Sequence, residues 1–289
     1  MMRKYPDWSR LVEKSWQEGV KNMRPELLDK ALDDFRGLAV GSLITEGQTE
    51  RLVQLRPSFG LTCPRQAYFL RECEKPKPMP DAISMTFTLG HLAHCLAAAA
   101  LDSGLPEGFM AEYEMKVETG FPDRPLCATT GTADVVLVRT DGDEVLPEGA
   151  PKYILGDFKT MAGFAFRDHG KKDFSKMSPD AWGHIRQLAV YAHSSTLEEK
   201  YPGIVKNGAL LIGVNKESPV QGLKSRHIPY EVLKEAFGEV QESIETLDPK
   251  TPDPGPVLYK KWGPQVAFYC GSSGRPGYCP YVHQCQSKR

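Results

Sequence analysis

Apolar positions along this chain switch between a helical period and a strand period, and the switches mark out its elements. Trp8, Leu11, Val12 and Trp16 recur at helical spacing, so residues 9–37 are expected to form two helices, with Pro25 at a favoured first-turn position of the second. Residues 58–72 read as a turn followed by a short helix through Pro64, Ala67, Tyr68 and Leu70. Three prolines within 75–81 make a stiff connector. Residues 87–102 form a buried or amphipathic helix, and 110–118 and 131–139 form strands around a turn at 120–125. A third strand is expected at 152–160, reached through a loop at 141–151. A helix at 180–197, a buried strand at 207–214 and a helix at 230–246 follow, and a proline-rich stretch at 249–256 closes the series. Helix, three strands, helix and strand in that order predict a mixed central sheet flanked by helices, an α/β (α+β) fold. The chain divides into a helical region 1–80, a core 81–250 and a cysteine-rich segment 251–289.

Composition narrows this picture a little. The 289 residues are 40% apolar and 25% charged, an ordinary globular balance able to bury a substantial core. A net charge of −1 means that nucleic acid would have to be met by local basic patches. The apolar stretch Leu89–Leu101 contains His91 and His94 and is too short to span a bilayer. The first residues are polar and carry no apolar signal region, so a cytoplasmic protein with no membrane partner is expected. Seven cysteines without a signal segment argue against a disulfide framework, and the crowding of Cys270, Cys279 and Cys285 suggests metal or cluster ligation.

The candidate chemistry lies in the middle of the chain. Asp157 and Lys159 flank Phe158 on a strand, so their side chains share one face. Asp134 stands at the start of the preceding strand's valine run. If the two strands are neighbours, both carboxylates can converge on one cation, and hard oxygen ligands select Mg²⁺ or Mn²⁺. His94 on the preceding helix could add a nitrogen ligand. The competing readings are a strand-edge ion pair for Asp157 and Lys159, a turn cap for Asp134 and core positions for His94, Gln187 and Tyr191. His91, one turn from His94, reads as structural.

Gly90-x-x-x-His94, Gly131-x-x-Asp134, Asp157-x-Lys159 and Gln187-x-x-x-Tyr191 occur in that order. Together they resemble the motif set of the RecB-like branch of the PD-(D/E)XK nuclease superfamily, over roughly 87–214. The resemblance implies a restriction-endonuclease-like core and a metal-dependent DNA exonuclease acting on single strands or ends. It implies His94, Asp134, Asp157 and the Phe158 carbonyl as metal ligands, and Lys159 as the residue that orients the attacking water and counters phosphate charge. Gln187 and Tyr191 would brace the site or touch the scissile strand. A non-catalytic DNA-binding module that keeps the nuclease fold is the alternative.

The cysteines are similar to the pattern of the AddB and CRISPR-associated members of that branch, one before the core and three after it. That similarity implies a 4Fe–4S cluster on Cys63, Cys270, Cys279 and Cys285, although eight residues separate Cys270 from Cys279 where the family has two. Thiolates in such a set also suit zinc, with His283 available, and Cys73 is an alternative first ligand. Cys95 and Cys127 read as buried thiols. Two basic stretches with interleaved aromatic residues are candidate DNA contacts. One holds Lys171, Lys172 and Lys176, with Arg167 and His169 beside them, as a lid or an exposed loop. The other holds Lys260, Lys261 and Arg275. The chain has no helicase P-loop, so a helicase or recombination partner would have to supply that activity, and oligomerisation is open.

Overall fold

The structure is a computed structural model that describes residues 8–44, 63–72, 81–121, 124–140, 151–171, 183–217, 222–248, 250–255, 279 and 281–287. Helices α1 (Trp8–Lys21), α2 (Pro25–Ile44), α3 (Pro64–Arg71) and α4 (Asp81–Gly104) precede the strands β1 (Phe109–Phe121), β2 (Arg124–Arg139) and β3 (Tyr153–Met161). Then come α5 (Gly163–His169), α6 (His184–Ala192), α7 (Ser195–Lys200), a 3₁₀ turn (Ile204–Asn207), β4 (Ala209–Asn215), β5 (Leu223–Ile228), α8 (Tyr230–Glu245) and α9 (Val282–Ser287). The five strands lie in the order β1-β2-β3-β4-β5, antiparallel except for β3 and β4, which are parallel. A parallel pair needs a crossover, and the segment holding α5, α6 and α7 provides it. The fold is therefore a mixed α/β arrangement with a mixed sheet flanked by helices.

Each face of the sheet carries its own core. Leu155, Val136 and Leu211 pack with Ile185, Leu188 and Tyr191 of α6 and with Val232, Leu233 and Ala236 of α8. Ile154, Phe158, Val135, Leu137 and Ile212 pack on the other side with Trp8, Val12 and Trp16 of α1 and Ala97, Ala100 and Leu101 of α4. The N-terminal helix thus shares a core with the sheet. Both faces are covered where β2 and β3 pair, which is why residues 135–138 and 153–155 read as continuous apolar runs.

The helix pair α1 and α4 crosses backbone to backbone. A Cβ on Gly19 would stand 1.6 Å from the Ala100 carbonyl oxygen, and one on Gly104 would stand 1.9 Å from that of Ser15. Only glycine permits such an approach. Glu13 of α1 also accepts a hydrogen bond from the Ser225 N–H, 2.9 Å away, and so ties α1 to β5.

The observed elements depart from the expected ones in several places. β1 and β2 run further than 110–118 and 131–139, taking in most of the expected turn. The helix expected at 180–197 stops at Ala192, because the Ser194 side chain caps a new helix by accepting from the Leu197 N–H. β5 was not expected. Its buried positions include Ser225, a small polar residue that breaks the apolar alternation. Residues 163–169, expected as part of a lid or an exposed loop, form the helix α5, and the continuation of that stretch from 172 lies outside the described residues. Phe166 and His169 are buried in α5, and the His169 ring nitrogen lies 3.1 Å from the carbonyl oxygens of both Leu211 and Lys224. The connector 75–80 lies outside the described residues.

Gly19→Ala should cost about 1–3 kcal/mol or more, the range for forcing a methyl into a packed contact. Urea unfolding of the two proteins measures it, and equal midpoints would show that the helices do not meet as described.

Candidate active site and cysteine centre

The ladder between β2 and β3 runs from Val138↔Tyr153 to Val135↔Gly156 and ends there. The next residues in the same register are Asp134 and Asp157, so two carboxylates face each other where the strands part. Asp134 Oδ2 accepts the Phe158 N–H at 2.7 Å, a side chain satisfying a backbone donor beyond the last ladder pair. On β3, Ile154 and Phe158 belong to one core and Leu155 to the other, which puts Asp157 and Lys159 on the α6 face.

Asp157 has no exposed surface, and Lys159 Nζ lies 2.7 Å from its Oδ2. Asp157 Oδ1 has no hydrogen-bond partner among the described residues. A buried carboxylate without full compensation is driven toward its neutral form. Burial, opposed by Lys159 and assisted by Asp134, pushes Asp157 up to about 6. Burial also raises Asp134, against the pull of Lys159 and the Phe158 N–H.

His94 Nδ1 is 3.7 Å from Asp134 Oδ2, and its ring lies 5.8 Å from that of Phe158. Burial, joined by Lys159, lowers His94 to about 4, so the imidazole is neutral near pH 7 and keeps a lone pair to offer. On α6, Gln187 Nε2 donates to Tyr191 Oη at 2.8 Å. The Tyr191 hydroxyl is raised by burial and then by the charge of Asp157, which places the pair beside the carboxylates. All four sequence motifs therefore meet at one end of β3.

Two further residues stand at this end. His91, read as structural, is exposed, and its ring is 6.5 Å from that of His94. Glu114 was not singled out. It is a non-glycine residue at φ 51°, in the gap between Tyr113↔Val135 and Met115↔Ala133, opposite Asp134. Desolvation, then Asp134 and Asp34, push Glu114 up to about 7. Glu112, Glu114, Lys116 and Glu118 alternate along β1 as an ordinary polar strand face, so nothing in the sequence distinguished Glu114.

The described cysteines of the predicted set also come together. Cys63 and Cys279 are buried and Cys285 is half-buried. Arg65 Nη1 donates to Cys285 Sγ at 3.2 Å, and Gln66 Nε2 donates to Cys279 Sγ at 3.4 Å. Burial raises Cys63 and carries Cys279 up to about 12, and the charges of neighbouring cysteines add to both shifts. Cys95 is half-buried on α4. Cys73, Cys270, Lys172, Lys176, Lys260, Lys261 and Arg275 lie outside the described residues, as does the side chain of Cys127. Lys171 is exposed just beyond α5, whereas His169, expected with it in a basic patch, is buried against backbone carbonyls.

The donors suit the groups expected of them in kind. Asp134 and Asp157 offer hard oxygens beside a neutral imidazole, and the cysteines offer soft sulfur in a protected pocket. Among the described residues, no three His, Cys, Asp or Glu side chains stand in metal-ligating geometry as placed. Lys159 takes the position at Asp157 Oδ2.

No family model and no curated protein matches this chain. The crystal structure of SSO0001 is similar over 91% of this chain and 95% of its own, with 15% sequence identity and a TM-score of 0.41. A likeness of that size carries no functional argument. No helix among the described residues is long and apolar enough to cross a membrane.

The raised Asp157 sets a pH dependence. Its folded value of about 6 exceeds its ordinary 3.8, so the folded state holds the proton more tightly than the unfolded one. The stability this contributes is complete below pH 4 and is lost as pH rises through 6. In metal-free protein, wild type should therefore lose stability relative to Asp157→Asn between about pH 4 and 6. Thermal unfolding across that range measures the difference, and parallel profiles would refute it.

Proposed function

We propose that this chain is a Mg²⁺- or Mn²⁺-dependent DNA exonuclease of the RecB-like PD-(D/E)XK type, acting in the cytoplasm on single strands or ends. The observation that carries this reading is the meeting of Asp134 and Asp157 where the β2–β3 ladder ends, with Lys159 on Asp157 and His94 beside Asp134. A structural ion pair needs only Asp157 and Lys159. It gives no reason for a second carboxylate and a neutral histidine beside them.

His94, Asp134, Asp157 and the Phe158 carbonyl would hold the cation. When bound, it supplies a lowered pKa for water and neutralises charge on the phosphate. The protein's own groups do the rest. Buried Asp157 prefers a proton, with Lys159 the main opposing group, so cation binding and proton release are coupled. Lys159, held at Asp157, would orient water and meet the scissile phosphate. The Phe158 N–H fixes one oxygen of Asp134, which preserves the spacing of the two carboxylates. The Gln187–Tyr191 bond keeps the phenol oriented next to Asp157.

A 4Fe–4S cluster on Cys63, Cys270, Cys279 and Cys285 belongs to the same reading, with zinc as the competing occupant. It is supported by the approach of three cysteines from opposite ends of the chain. Such a centre would close a very long loop, so its role is structural.

Asp134→Ala, Asp157→Ala and Lys159→Ala should each lower Mn²⁺-dependent degradation of end-labelled single- or double-stranded DNA by at least about a hundredfold. Mn²⁺ should raise the melting temperature of wild type but not of Asp157→Ala. Undiminished cleavage in folded Asp157→Ala would overturn the proposal. A wild type that binds DNA without cutting it would favour the non-catalytic module.

A further inference from the structure

We propose that Arg65 and Gln66 are N–H···S donors that tune the charge on the cysteine centre, beyond any part they play in packing. The inference rests on the reading that these cysteines hold a metal centre. Both residues sit in the first turn of α3, two and three positions after Cys63, and both are essentially fully buried, at 2% and 1% exposure. They are contiguous with one cysteine, yet their donors reach sulfurs 220 and 213 positions further along the chain.

The Arg65 contacts separate two jobs on one guanidinium. Nε and Nη2 make a bidentate pair with Asp253, each at 2.9 Å, which fixes the plane of the fork. Nη1 is thereby directed at Cys285, to its carbonyl oxygen at 3.0 Å and its sulfur at 3.2 Å. A guanidinium required only for the ion pair would be served by Asp253 alone. Phe69 lies under the same guanidinium, 5.4 Å from ring centroid to carbon, and meets Tyr281 at 5.6 Å in a tilted arrangement. Both rings are buried, as are Arg65 and Gln66, and a hydrogen bond made in such surroundings is stronger than one in water.

Donors of this kind have a predictable electronic effect. A hydrogen bond lowers the energy of a sulfur lone pair and stabilises the more negative state of the centre. Hydrogen bonds to sulfur, net charge and solvent exposure are the levers that set the potential of an iron–sulfur centre. Removing a donor should move the sulfur-to-metal charge-transfer absorption to longer wavelength and the midpoint potential to more negative values.

The test uses the full chain purified without oxygen, as wild type, Gln66→Met, Arg65→Lys and Arg65→Met. Iron, zinc and sulfide per chain are measured first, then the absorption band and potential. Both are properties of the loaded molecules and do not depend on how many are loaded. We expect Gln66→Met to shift band and potential as stated, and Arg65→Lys, which keeps a cationic donor, to lie closer to wild type than Arg65→Met. Band and potential unchanged in loaded Gln66→Met would overturn the inference while leaving the metal centre intact. Wild type free of iron and zinc would overturn both. Stoichiometric zinc would end the cluster reading alone, and the band of cobalt-exchanged protein would then decide the role of the two donors.

Discussion

A carboxylate with no exposed surface, Asp157, sits in the middle strand of the sheet, and the architecture around it is arranged to make that tolerable. Taking such a group from water is costly unless it is paired, coordinated or protonated. Lys159 meets one oxygen, Asp134 faces it across the ended ladder, and His94 closes the far side without adding a charge. The surrounding cores supply the low dielectric in which these groups act strongly on one another. Fold and candidate chemistry are therefore one problem, because the strands that carry the aspartates are packed against a core on each face of the sheet.

Much of this was legible in the sequence because it rests on short-range rules. Alternation put Asp157 and Lys159 on one face of a strand, and i,i+4 spacing put Gln187 beside Tyr191. What spacing could not show was register. Residue 134 meets residue 157 because the β2–β3 ladder is paired as it is, a long-range choice that the family resemblance anticipated and the pattern did not. Glu114 was hidden in an ordinary polar alternation, and only the positive φ and the skipped register position set it apart. Ser225 concealed β5 because a small polar residue can be buried when a strand edge and Glu13 satisfy its backbone. His169 misled in the opposite sense, since a histidine among lysines looks basic and solvated until two carbonyls claim it.

The short helix α3 is tied to the segment after α8 by hydrogen bonds to backbone carbonyls. Arg71 of α3 donates to the carbonyls of Thr246, Asp248 and Thr251 just past the end of α8, where cations and donors are favoured. Thr246 returns a hydrogen bond to the Pro64 carbonyl at 3.0 Å. The short helix α3 is thereby held at both ends, and the residues that follow Cys63 are presented to α9 at a fixed angle.

The span between Arg65 and Cys285 also fixes an order of events in the life of the chain. The strands bearing Asp134 and Asp157, and the helix bearing His94, are all synthesised well before the ribosome reaches Cys279. Contacts within the sheet can form as these parts emerge, in keeping with the tendency of domains to fold as units during synthesis. The sulfur pocket must wait until residue 285 has been made. Asp157 and its neighbours can thus come together first, and the hydrogen bonds of Arg65 to Cys285 close last on a body already shaped.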